Sequence, residues 1–240
     1  MIHAMTPALL LLGALEILVF SKTAGYRHES IPDGVRAIEA IAKKQGWSVV
    51  ATEDPKAFTT EGLARFDVVV FLMTTGDVLE ESQQKAFERF LASGKGFVGI
   101  HSASDTEYDW PWYEELVGAY FHSHPEIQEA TYVIEDRGHP ATSHLPDTWV
   151  RRDEHYNFDR NPRGSGVRVL ASLDESSYAP GEGAMGDHPV VWSHEKQGGR
   201  AFYTALGHTS ESYSDPRFLE HLEGAIAWCG NDAGSPREKP

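Results

Sequence analysis

The residues of this 240-residue chain that could do chemistry are above all its twelve histidines, several of which stand where short apolar runs end. His101 follows the run 96–100 (GFVGI) and precedes Ser102-Ala103-Ser104-Asp105. A strand that turns abruptly into a helix presents the turn residue at the top of a sheet, the geometry of a nucleophile elbow, and here that residue is an imidazole. His208 follows the run 200–206. A histidine in that position serves as a general base, a metal ligand or a structural imidazole. His28 lies in Arg27-His28-Glu29, just beyond the first apolar run.

Two further motifs lie in the middle of the chain, His122-Ser123-His124-Pro125 and Asp153-Glu154-His155-Tyr156. An HxH pair on an extended segment points both rings to one side, and a nearby carboxylate would complete a ligand set for zinc, nickel, manganese or iron. HxH also occurs in loops by chance, and the spacing does not identify a metal. Glu154 and His155 are neighbours, so an extended backbone turns only one of them toward a cleft. The aromatic group Tyr108, Trp110, Trp112 and Tyr113 suits either stacking on a sugar ring or packing of a lid. His139, His144, His188 and His194 stand beside Pro, Ser, Asp or Glu and read as surface residues.

The elements that must position these groups follow from periodicity. Short β-rich runs alternate with helical patterns from Glu16 onward, which predicts βαβ units and a largely parallel sheet flanked by helices, an α/β doubly wound fold. Strands are expected at 16–21, 47–51, 67–73, 96–100, 130–135, 167–173, 189–193 and 200–206. A helix capped by Ser30 with Pro32 in its first turn comes next after the first strand. Others run from about Glu80 to Ser93, near Tyr113 to Gly118, and from about Asp215, with Pro216 first. Residues 109–161 look like elaboration beyond the sheet. In open parallel sheets ligands collect beyond the carboxyl ends of the strands, and three of the four such loops on that rim carry a histidine.

Composition narrows the function classes. A net charge of −15 without a compact basic run argues against nucleic acid as a partner. No stretch approaches the roughly 20 apolar residues of a membrane span. The only cysteine, Cys229, excludes an intrachain disulfide and reads as core packing on the last helix. Residues 1–15 form an apolar extension without a basic start or a clear cleavage site, so a cytoplasmic protein is expected rather than a secreted one. Residues 16–230 form one domain and 231–240 a polar tail. Oligomerisation is left open.

Five ordered motifs, 27–31, 99–105, 121–125, 153–156 and 199–208, resemble those of the trehalose-utilisation (ThuA-like) family over about residues 16–230. The resemblance implies a class I glutamine amidotransferase-like fold. His208 then corresponds to the triad histidine of those enzymes, and His101 stands where they carry cysteine, so thiol-based glutamine hydrolysis is not expected. It further implies a small carbohydrate as partner, trehalose or a related disaccharide, commonly in its 3-keto form. On this reading His101, His208, Glu154 and Asp105 are catalytic, with Asp105 orienting an imidazole. Arg27, His28, Tyr108, Trp110 and Tyr156 bind substrate. A divalent transition metal sits on His101, His124, Glu154 and His208, and no nucleotide cofactor is expected. A non-catalytic sugar-binding module on the same fold is the alternative.

Overall fold

The structure, a computed structural model, describes residues 14–231. The apolar extension and the tail, apart from their inner ends, lie outside the described residues. In chain order the elements are β1 (Glu16–Phe20), α1 (Ile31–Gln45), β2 (Ser48–Thr52), α2 (Thr60–Leu63), β3 (Val68–Leu72), α3 (Glu81–Ala92) and β4 (Gly96–Ile100). Then come α4 (Pro111–Val117), β5 (Phe121–Ser123), β6 (Gln128–Ile134), β7 (Thr148–Asp153), β8 (Asn157–Phe158), β9 (Arg168–Asp174), β10 (Pro189–His194), β11 (Arg200–Thr204) and α5 (Pro216–Cys229).

Nine strands form one mixed sheet in the order β2-β1-β3-β4-β11-β10-β9-β6-β7. The first five are parallel and the rest pair antiparallel. β3, VVVFL, is buried at every position, as a central strand covered on both faces must be. Its alternation shows the two layers: Phe71 packs on Phe87 of α3 and Tyr113 of α4, while Leu72 meets Gly34 of α1. α5 joins α1 on that second face, tied by the Lys44–Glu223 ion pair at 2.9 Å. Among the described residues no helix is long and apolar enough to cross a membrane.

Residues 109–161 depart from expectation. They hold β6 and β7, which form the far edge of the main sheet rather than an elaboration outside it. The sequence hides β7 (TWVRRD) because its buried positions include Arg151 and Asp153. Those two charges enter the interior together, 3.0 Å apart, which meets the cost that either would carry alone. Ser30 does precede α1, but it does not cap it: its hydroxyl donates to the His208 carbonyl at 2.5 Å. His139, His188 and His194, read as surface residues, are buried. Cys229 is wholly buried, its thiol on the Phe97 carbonyl at 3.1 Å.

Candidate functional site

Four strands deliver the site to one rim. β1, β4 and β11 are parallel, so their carboxyl ends face the same way. From β11, the antiparallel steps through β10, β9 and β6 bring β7 back to the direction of β11. Asp153 and Glu154 therefore emerge beside His208 (after β11), His101 (after β4) and His28 (beyond β1).

His101 opens a 3-10 turn, His101–Ser104, and has a positive φ of 53°, which is unusual for a residue with a side chain. The turn throws the ring up over the sheet, the elbow geometry that the sequence suggested. Ala205 accepts a hydrogen bond from His101 Nδ1–H at 2.8 Å, which leaves the Nε2 lone pair pointing into the cluster. There Nε2 lies 3.1 Å from His208 Nδ1 and 3.4 Å from Glu154 Oε2. His208 Nδ1 lies 3.1 Å from the same carboxylate oxygen. The rings of His101 and His208 are about 5 Å from that of His28.

His208 is held by backbone rather than by its ring. Gly207, at φ 107°, allows a turn in which a Cβ would lie 2.9 Å from the Tyr213 hydroxyl. The wholly buried Asp153 carboxylate accepts from Gly207 N at 3.0 Å, His208 N at 3.1 Å and Glu154 N at 3.0 Å. One buried side chain thus ties two of the cluster's supports together.

The electrostatics follow from burial and from these contacts. Burial, with the neighbouring His101 and His208, lowers His28 to a pKa of about 3 and keeps it a neutral lone-pair donor. Burial also opposes charge on His208, but the hydrogen bond and charge of Glu154, helped by Asp153, outweigh it and raise that pKa. For Glu154, burial pushes upward, and the neighbouring His101 and His208 overcome it, holding the carboxyl well below the usual carboxylate range.

One donor atom from each of His28, His101, Glu154 and His208 lies within 4.8 Å of the others. Ligands on a tetrahedral ion bonded at about 2.0–2.1 Å stand about 3.4 Å apart, so the three spacings above suit a small divalent cation with little movement. Three imidazoles and one carboxylate are borderline donors that match zinc, manganese, iron or nickel rather than calcium.

Three of the four, His28, Glu154 and His208, line a cavity of about 380 Å³, whose walls include Tyr26, Asp105, Phe121, His124 and Tyr156, while His101 is wholly buried behind them. Volumes of this order suit a small organic ligand. The Tyr156 ring packs 4.1 Å from that of His101.

Other expected site residues are placed differently. His124 reaches Glu154 at 3.2 Å, but it is 42% exposed and outside the four-donor set. Its HxH partner His122 is exposed and does not line the cavity. Asp105 does not orient His101; the Ala205 carbonyl does so, and Asp105 accepts from the Tyr108 hydroxyl at 2.7 Å. Arg27 turns to Glu53 at 2.7 Å, and Tyr26 takes the wall position instead. Trp110 is buried against Trp112 and Tyr113, its ring N–H on Glu88 at 3.1 Å, so it packs at the start of α4 and does not line the cavity. His155 faces away from the cleft, between the Tyr132 hydroxyl and the Gln128 carbonyl, as its adjacency to Glu154 requires. Asp153 was legible in its motif, but its anchoring role depends on the loop after β11 reaching it.

No curated protein matches this chain. Among solved structures, a putative ThuA-like protein from Bacteroides uniformis superposes with a TM-score of 0.77 at 24% identity, over 93% of this chain and 95% of that one. A second, from Parabacteroides merdae, gives 0.75 at 18% identity, over 95% and 94%. A β-galactosidase from Bacillus circulans sp. alkalophilus gives 0.58 at 14% identity; the match covers 90% of this chain and 31% of that enzyme. At these identities the likenesses show a shared fold. The model of the ThuA family, described as trehalose utilisation, matches residues 16–229, and the chain therefore belongs to that family.

Proposed function

We propose that this protein is a metal-assisted enzyme of disaccharide utilisation that acts on a glycoside carrying a ketone at C3. It removes the proton at C2, leading either to loss of the group at C1 or to isomerisation. The single observation that carries the reading is the convergence of His28, His101, Glu154 and His208 from four strand ends, three of them lining one cavity. Membership of a family described as trehalose utilisation supports a disaccharide as the substrate class.

A ketone acidifies the neighbouring C–H, so the reaction needs a group that draws charge onto the ketone oxygen and another that takes the proton. A divalent cation on the cluster would supply the first as a Lewis acid. The chain's own residues prepare that position. Ala205 fixes the tautomer of His101, burial keeps His28 neutral, and Asp153 holds the backbone of both Glu154 and His208. Tyr156 and Phe121 form an apolar wall against which a sugar face can lie and from which water is displaced.

The test has two stages. Elemental analysis of protein purified without an affinity tag is expected to show stoichiometric transition metal. Incubation with 3-keto-trehalose is then expected to give product, to stop with a chelator and to resume when metal is restored. No turnover with any divalent metal would end the reading, and stabilisation by disaccharides without product would favour a binding module instead.

A further inference from the structure

We propose that Asp105 is the general base that takes the C2 proton, an inference that rests on the reaction class above. Asp105 ends the 3-10 turn begun by His101 and lines the same cavity as His28, Glu154 and His208, yet it is not one of the four clustered donors. Its backbone is fixed on both sides, its N–H on the Ser102 carbonyl at 2.8 Å and its carbonyl on Gly76 N–H at 2.8 Å. The Tyr108 hydroxyl lies between Asp105 Oδ1 at 2.7 Å and the Phe121 carbonyl at 3.1 Å, and its single proton goes to the nearer oxygen. Oδ1 is therefore occupied. Oδ2 has no hydrogen-bond donor among the described residues, which leaves one lone-pair face of a rigid carboxylate for a ligand.

Of the other carboxylates on the wall, Glu126 is an exposed side chain beyond β5, whereas Glu154 is buried and engaged. Glu154 is held by His101, His208 and His124, and His124 Nδ1 faces Glu154 and the Pro125 carbonyl. No Lys or Arg lines the cavity, so nothing neutralises Asp105 by a salt bridge. Burial raises its carboxyl above the usual value, against the Tyr108 hydrogen bond and His101, which makes it a stronger base than a solvated carboxylate. In the step, the C2–H bond breaks, the proton passes to Oδ2, and the electron pair forms the C2–C3 double bond of an enolate with charge on the C3 oxygen. In elimination that pair then forms the C1–C2 double bond as the C1–O bond breaks, and the proton returns to the departing oxygen.

The experiment uses the metal-loaded full chain with 3-keto-trehalose in deuterated water. Wild type is expected to form product and to place deuterium at C2 of recovered substrate. Asp105→Asn, which keeps size and polarity, is expected to lose C2 exchange and to lower kcat by about 10²-fold or more, with metal content unchanged and KM within a few-fold. Asp105→Glu should recover part of the exchange. An Asn variant that still exchanges C2 and keeps kcat within about tenfold would overturn the assignment, as would loss of activity that merely follows loss of metal. A wild-type protein that neither turns over nor exchanges would overturn the reaction class itself, and this assignment with it.

Discussion

Two sets of histidines in this protein share a residue type and are wholly or largely buried, and they differ in what their ring nitrogens face. His139, His194 and His221 pack inside the fold. His194 donates to the Leu116 carbonyl at 2.8 Å and accepts from Lys196 N–H at 3.3 Å. His221 lies between the Ala141 carbonyl and the Thr204 hydroxyl, and His139 accepts from Ala141 N–H and packs on Phe202 and Trp228. Desolvation lowers all three, to about 3 for His139 and His221 and about 4 for His194. On the rim, by contrast, nitrogens of His101 and His208 face each other and one carboxylate oxygen. A buried histidine is a structural residue when backbone, hydroxyl or aromatic groups enclose its ring; it becomes part of a site when several rings leave lone pairs around one point.

The comparison breaks most sharply at His101. His101→Gln should remove stoichiometric metal and lower turnover on the order of 10³-fold, the several kcal/mol expected of lost charge stabilisation, and a variant with undiminished turnover would remove the cluster from the mechanism. Asp153→Ala tests the backbone that frames the rim. It strands the buried Arg151 guanidinium and frees the His208 loop, and thermal denaturation should show a loss of about 3–5 kcal/mol. A wild-type melting temperature would mean that the loop holds itself.

His221→Leu sharpens the other side. It leaves the Ala141 carbonyl and the Thr204 hydroxyl without that partner and should cost about 1–3 kcal/mol in stability, with metal content and turnover per folded molecule unchanged. The smallest effect is in acid. Unfolded histidines titrate near pH 6.5, whereas the packed set titrates at about 3 to 4, so between those values the unfolded chain binds more protons. Stability from their neutral burial is whole above about pH 6.5 and falls as pH drops toward 4. Melting temperatures at pH 7.5 and 5.0 should show the decline, with a shallower slope in His221→Leu; an equal slope would mean that His221 does not titrate on unfolding.

Much of the α/β core is legible in the sequence because its signals are local: the all-apolar 68–72 run, the 3.6-residue period of 31–45, and Pro216 opening the last helix. β7 is not, because a strand with Arg151 and Asp153 inward carries no apolar alternation. His28, His101, Glu154 and His208 can be named from strand ends and motif spacing. Arg27, Trp110 and Asp105 are placed otherwise than expected, because a side chain follows its partners: Glu53 for Arg27 and Glu88 for Trp110 lie 26 and 22 residues away, and the Ala205 carbonyl takes the imidazole that Asp105 was expected to orient. The buried setting of His139, His188 and His194 likewise comes from elements that pack over them.

By itself the sequence determined the parallel strands, the helices between them, and a histidine beyond several strand ends, since hydrophobic period and turn chemistry act over a few residues. Only the tertiary structure decided that β7 points the same way as β11, that Asp153 joins the two loops, and that four donors meet within 4.8 Å. Those outcomes depend on charges and backbone N–H groups separated by 50 or more residues along the chain, such as Asp153 and Gly207, which meet only after the sheet has formed.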